Sequence, residues 1–193
     1  MSADSAPSQR SVSLAEARFE RLYHQHYQAV LAYCLRRTSY PDAYDTAAET
    51  FVVAWRRLEA VPQGDQTRPW LYGVAYRVIS HRWRRLRRDR NLLDRIRSRS
   101  PEATDPGPEP QVVRSAEHEL VHQAAKLLSA ADQEILRLAM WEDLSTTQIA
   151  EALGTSVAAA KQRFHRAKTR LARHYTRLAG PDSPKAAPRG GAE

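Results

Sequence analysis

Cysteine occurs once in the 193 residues, at Cys34. This excludes an intramolecular disulfide and a cysteine-rich zinc site. Lysine is scarce: only Lys126, Lys161, Lys168 and Lys185 among thirty cations, the rest being arginine. Glycine is also sparse, with seven residues, and no run of β-branched alternation appears, which argues against a mainly β fold. No apolar stretch reaches the roughly 18–20 residues of a membrane span, and the N-terminus carries no apolar signal core. These absences lead to the expectation of a soluble, cytoplasmic, helical protein without direct membrane insertion.

What is present is positive charge, unevenly placed. The net charge is +8 and the isoelectric point is near 10.0. Residues 14–61 balance six basic against six acidic groups, whereas residues 62–99 set eleven arginines against Asp65, Asp89 and Asp94. Residues 101–143 carry three basic and nine acidic groups, and residues 144–193 reverse this with nine and three. Two basic blocks therefore flank an acidic one. Guanidinium forms a planar fork suited to phosphate and base edges, so two nucleic-acid contacts are the reading favoured over two solvated helix faces. A genome-wide compositional bias would also produce arginine excess, so the arginines count only where they cluster.

Apolar periodicity predicts an all-α protein of two small helical domains joined by a Pro-rich linker. Residues 1–13 read as disordered. Phe19, Leu22, Tyr23, Tyr27, Val30, Leu31 and Cys34 recur at steps of three and four, giving a helix from Leu14 to about Arg37. Pro41 and Asp42 follow as turn and cap, before a second helix over about Ala43–Glu59 with Ala47, Phe51, Trp55 and Leu58 on one stripe. The loop 61–67 breaks it, and a third helix starts near Pro69 with a stripe of Leu71, Val74, Ala75, Val78, Ile79 and Leu86. These helices form a domain of residues 14–97. Residues 98–112, with four prolines, are the linker. A second domain, residues 113–178, reads as helices near 113–128, 131–140, 145–153 and 157–178, with a disordered tail over 179–193.

Two helices carry the recognition chemistry. Between Leu144 and Lys168 the pattern is a helix-turn-helix: Ser145 can cap the first helix, Gly154 can turn the chain at positive φ, and Ser156 can cap the second. Val157, Ala160, Phe164, Ala167 and Leu171 form the second helix's inner stripe. Its outer face offers Ala159, Lys161, Gln162, Arg163, His165, Arg166 and Arg170. Small residues at the start let such a helix enter a major groove, and long donors beyond them reach base edges and phosphates. On the third helix, at about 100° per residue, Trp70, Arg77, His81, Arg84 and Arg88 share one flank, a ring and a ladder of cations suited to phosphate and an exposed base. Tyr72, Tyr76 and Trp83 lie on the opposite flank. Arg82 falls inside the core stripe, so it must snorkel or the helix must bend there.

Four segments in order resemble the bacterial RNA polymerase sigma factors of the small, two-domain extracytoplasmic-function type within the sigma-70 family. Phe19–Tyr27 resembles the family's opening helix. Asp45-Thr-Ala-Ala-Glu-Thr-Phe-Val-Val-Ala-Trp-Arg-Arg-Leu58 resembles its most characteristic motif, with Thr46-Ala47-Ala48 where Leu-Val-Gln is usual. Arg68-Pro-Trp-Leu-Tyr-Gly-Val-Ala-Tyr-Arg77 resembles the helix that melts and reads the −10 element, and departs from the usual Arg-Asn at Tyr76-Arg77. The helix-turn-helix resembles the −35-reading module; ahead of it, Leu128-Ser-Ala replaces the usual Leu-Pro.

The resemblance implies roles. Asp45, Glu49, Phe51, Trp55 and Arg56 would lie on the helix that docks on the β′ clamp helices of core RNA polymerase, with the β flap as a second contact. Phe51 and Trp55 could instead face the domain core. Gly64 and Asp65 would shape a pocket for a flipped base, and Trp70, Arg77, His81, Arg84 and Arg88 would face the −10 DNA. The linker would follow the RNA exit path. Ser156, Ala159, Lys161, Gln162, Arg163, His165 and Arg166 would meet the −35 DNA. The family implies no catalytic residue and no cofactor, and many members are held by an anti-sigma factor. The rival reading is a helix-turn-helix regulator acting on duplex DNA without polymerase.

His118-Glu-Leu-Val-His122 matches the zincin pattern HExxH. The histidines lie opposite the expected packing stripe of Leu120, Val121, Ala124, Leu127 and Leu128, and no third ligand follows at the usual spacing, so no metal site is expected.

Overall fold

The computed structural model describes residues 6–97 and 116–180. Every regular element among these residues is helical: α1 (Ala6–Leu35), α2 (Tyr40–Arg56), α3 (Thr67–Arg97), α4 (Ala116–Lys126), α5 (Ala130–Met140), α6 (Thr146–Leu153) and α7 (Val157–Ala179). Single 3₁₀ turns over Leu58–Ala60 and Gly64–Gln66 link α2 to α3. Contacts divide the chain into two compact units, Met1–Pro110 with Ala150–Gly154, and Gln111–Ile149 with Thr155–Glu193. Among the described residues, no helix is long and apolar enough to cross a membrane. The expected linker 98–112, the first five residues and all but the start of the tail lie outside the described residues.

In the first unit α1, α2 and α3 pack around Val30, Tyr33, Cys34, Ala43, Ala47, Ala54, Leu71, Val74 and Ala75, all buried. Small residues on α2 (Ala43, Ala47, Ala54) let the helices approach closely. Tyr33 of α1 stacks on Tyr72 of α3 with centroids 4.6 Å apart and planes 13° from parallel. Tyr72, placed by the sequence on the flank opposite the cation ladder, is therefore core. The Arg37 guanidinium lies 3.5 Å from the Tyr33 centroid and donates to the Tyr33 carbonyl, so a buried cation closes the stack. Thr50 donates to the carbonyl of Thr46 at 2.7 Å, which lets a buried hydroxyl sit inside α2.

Several boundaries differ from expectation. α1 begins at Ala6, so part of the expected disordered N-terminus is helical. α2 begins at Tyr40, with Pro41 in its first turn, where the missing N–H costs nothing. Pro41 and Asp42 are thus inside the helix, and Ser39 stands at the cap position with its hydroxyl bonded to Asp42 Oδ2 at 2.5 Å. Leu86 is 57 % exposed, because α3 has by then run beyond the cover of the helices that bury its first half.

In the second unit α4 and α5 both pack on α7, with Ala124, Leu128, Ile135, Leu136, Leu138, Ala160 and Ala167 buried. Ser129 caps α5, accepting from the Asp132 N–H. The helix-turn-helix segment runs from α6 through Gly154 into α7; its Ala150–Gly154 stretch groups by contact with the first unit. At its entry Ser145 and Gln148 bond reciprocally: Ser145 N–H donates to Gln148 Oε1 at 2.9 Å and Gln148 N–H donates to Ser145 Oγ at 3.3 Å. This capping box satisfies two otherwise orphaned backbone donors. Gly154 turns the chain at φ +61, as expected. Val157, expected on the inner stripe, is 46 % exposed, since it sits at the first turn before α7 meets its neighbours.

Candidate functional site

Three surfaces hold the residues singled out by the sequence. The first is the outer face of α2. Asp45, Glu49 and Arg56 are exposed on it, but Phe51 is not. Phe51 is buried among Phe19, Tyr23 and Tyr27, with centroids 6.4, 4.9 and 6.1 Å away. Of the two places the sequence left open for Phe51, the docking face and the domain core, the ring takes the core, enclosed by α1. Trp55 keeps 42 % of its surface exposed while its ring sits edge-on to Phe19 at 5.1 Å. It thus serves the α1–α2 packing and still presents a face outward.

The second surface follows the turn into α3. Gly64 has φ +68, a conformation that favours glycine, at the start of the short 3₁₀ turn, and Asp65 is exposed beside it. The loop is fastened at both ends. Thr67 Oγ1 donates to the Pro62 carbonyl at 2.8 Å, and Arg18 of α1 donates to the Val61 carbonyl at 3.0 Å. Arg18 was missing from the sequence-derived set, since nothing in α1's periodicity points it at a loop 43 residues away. Trp70 is half-buried, while Arg77, His81, Arg84 and Arg88 are exposed along α3. Arg84 Nε donates to the Ser80 carbonyl one turn back at 3.2 Å. His26 of α1 stands near Arg68, and burial first, then that guanidinium, hold its pKa below the ordinary 6.5.

α3 runs unbroken through Arg82, and the side chain snorkels. Its guanidinium reaches α2, with Nη2 3.5 Å from Glu49 Oε2, and Nη1 3.8 Å from Asp42 Oδ1 and 4.0 Å from Asp45 Oδ2. Two of the acids expected to face a partner therefore already share a cation of their own chain. The signal in the sequence was an arginine at the core phase of its helix.

The third surface is the outer face of α7. Ala159, Lys161, Gln162, Arg163, His165 and Arg166 are exposed along it. The Ser156 hydroxyl accepts from Ala159 N–H at 3.2 Å and so caps the helix, as its spacing predicted. Arg166 donates to Gln162 Oε1 at 3.4 Å. Lys168 lies 5.6 Å over the Phe164 ring. Arg170 departs from the outer set: it bonds Asp132 of α5 at 2.5 Å. The surface offers a small-residue entry followed by exposed donors and a helix N-terminus, the equipment for groove and phosphate contact.

The HExxH histidines do not share the same environment, His118 being exposed and His122 half-buried. Val121 and Leu127 of the expected packing stripe are exposed, so α4 packs through Ala124, with Leu128 buried just past its end. No group of three or more His, Cys, Asp or Glu side chains that could hold a metal ion occurs among the described residues.

Comparison with known proteins agrees with this arrangement. Residues 22–89 match the family described as sigma-70 region 2, and residues 118–171 match sigma-70, region 4. RNA polymerase sigma factor YlaC of Bacillus subtilis is 31 % identical over 159 residues, covering 82 % of this chain and 92 % of the relative. RNA polymerase sigma factor NccH of Alcaligenes xylosoxydans xylosoxydans is 31 % identical over 175 residues, covering 88 % and 93 %. In fold, the chain is similar to the sigma factor RpoE of Bartonella quintana, solved in complex with the anti-sigma factor NepR. The TM-score is 0.58 at 19 % identity, covering 86 % of this chain and 98 % of that one.

Proposed function

The chain belongs to the extracytoplasmic-function sigma factors of the sigma-70 family, and from that premise we propose how its three surfaces divide promoter-specific transcription initiation. The outer face of α2, through Asp45, Glu49, Arg56 and the open side of Trp55, docks on the β′ clamp helices of core polymerase. The turn at Gly64 and Asp65 and the α3 flank of Trp70, Arg77, His81, Arg84 and Arg88 take the −10 element and help melt it. The outer face of α7, with Ser156, Ala159, Lys161, Gln162, Arg163, His165 and Arg166, takes the −35 element, and the second unit also meets the β flap. The polymerase supplies the chemistry and this chain supplies the address, acting in the cytoplasm without catalysis or cofactor of its own.

The observation that carries this reading is the pairing, in one chain, of an acidic and aromatic protein-facing helix with two cationic helix faces. A regulator acting on duplex DNA alone would have use for α7 but none for the exposed acids of α2. An anti-sigma factor is a further proposed partner, since a protein of similar fold is held by one.

Run-off transcription with purified core enzyme on genomic fragments tests the proposal. Discrete start sites that require both core and this chain are expected. Tight binding to duplex by the chain alone, with no initiation in the presence of core, would return it to the class of simple helix-turn-helix regulators.

A further inference from the structure

Asp42, Asp45 and Glu49 stand three and four residues apart, so they form one stripe along two turns of α2. Arg82 of α3 faces that stripe with its guanidinium between 3.5 and 4.0 Å from all three carboxylates. The carboxylates remain half exposed or more, and the arginine is one-third exposed. These separations exceed those of a bidentate fork, so the guanidinium is attracted to the group without being locked to any one acid. One cation shared among three anions leaves the stripe negative, and pairs this open to water are individually weak.

We propose that Arg82 is an internal stand-in for a basic partner surface: it occupies the α2 carboxylates in the free protein and is displaced when cationic side chains of core polymerase dock there. This rests on the docking role of α2 proposed above and adds its regulation. The stand-in neutralises part of the docking stripe, so it lowers affinity for core and for any other basic surface.

The test measures the dissociation constant between core polymerase and the labelled full-length chain across a salt series, with melting temperature as the check on folding. Arg82→Ala is expected to bind core about two- to fivefold more tightly at low salt, with the gain fading as salt rises. Arg82→Lys, which keeps the charge, should stay near the wild type. Adding Asp45→Asn and Glu49→Gln to Arg82→Ala should abolish the gain. If Arg82→Ala melts early, Arg82→Gln, which keeps the stem, is measured in its place with the same expectations. Equal or weaker core binding by the folded variant would make Arg82 a strut that presents the acids, and would overturn the proposal while leaving the docking role standing. A wild type that does not bind core would overturn both.

Discussion

Arg170 of α7 donates to the carboxylate of Asp132 on α5 at 2.5 Å, joining a half-exposed cation to an anion that is almost wholly buried. The same Asp132 gives its backbone N–H to the Ser129 cap, so helix start and ion pair meet at one residue. Arg170 is therefore a structural cation on a helix whose other exposed cations face outward.

Arg170→Ala leaves the Asp132 carboxylate buried without this partner. It should cost about 1–3 kcal/mol in the second unit, below the figure for a fully buried pair because the arginine is half in water. Asp132→Asn should cost less, since a neutral amide tolerates burial better than an orphan charge. Urea denaturation followed by helical circular dichroism measures both, and the reverse order would show that the pair contributes little.

Phe51→Ala opens a void in the cluster formed with Phe19, Tyr23 and Tyr27. A loss of about 3–5 kcal/mol is expected, as for a large aromatic removed from a core. Trp55→Ala removes a ring already 42 % exposed and should cost less stability. Under the docking role it should weaken core binding while the fold persists. Melting temperature and co-purification with core separate the two effects.

Arg163→Ala should weaken transcription through the −35 element by about five- to a hundredfold, the range of a lost base contact worth about 1–3 kcal/mol. On a promoter with a scrambled −35 element the variant and the wild type should initiate equally. A parallel loss on both promoters would reassign Arg163 to phosphate or to folding.

Acid should destabilise the first unit through His26. The unfolded chain takes up this proton near pH 6.5, whereas the folded chain does so only at lower pH, because burial and Arg68 disfavour the cation. Between those values the unfolded state binds more protons. The stability contribution is therefore complete above about pH 6.5 and is lost as the pH falls through the folded value. His26→Gln should flatten that fall, measured as melting temperature against pH from 7.5 to about 5.

Much of the fold was legible because helical periodicity is local. The order of helices, the Ser145 and Ser156 caps and the turn at Gly154 each follow from spacings within a few residues, and the chain's own backbone satisfies them. The outer donors of α7 were legible for the same reason, since the inner stripe through Ala160, Phe164 and Ala167 sets the opposite face. What escaped was any feature that depends on where a neighbouring helix ends. Leu86 keeps the core phase and lies exposed, Tyr72 lies beside the core stripe rather than in it and is buried, and Val157 sits before its cover begins.

By itself the sequence determined that this is a helical protein with two concentrations of cations and a helix-turn-helix between defined caps, because periodicity, capping and charge are properties of neighbouring residues. Only the tertiary structure decided which members of the motifs are available. It encloses Phe51 behind α1, leaves Trp55 half open, and turns Arg82 and Arg170 inward to acids 33 or more residues away. The reason is reach. A position on a helix wheel gives a direction, whereas a long side chain's partner depends on which carboxylate another helix brings within about 4 Å.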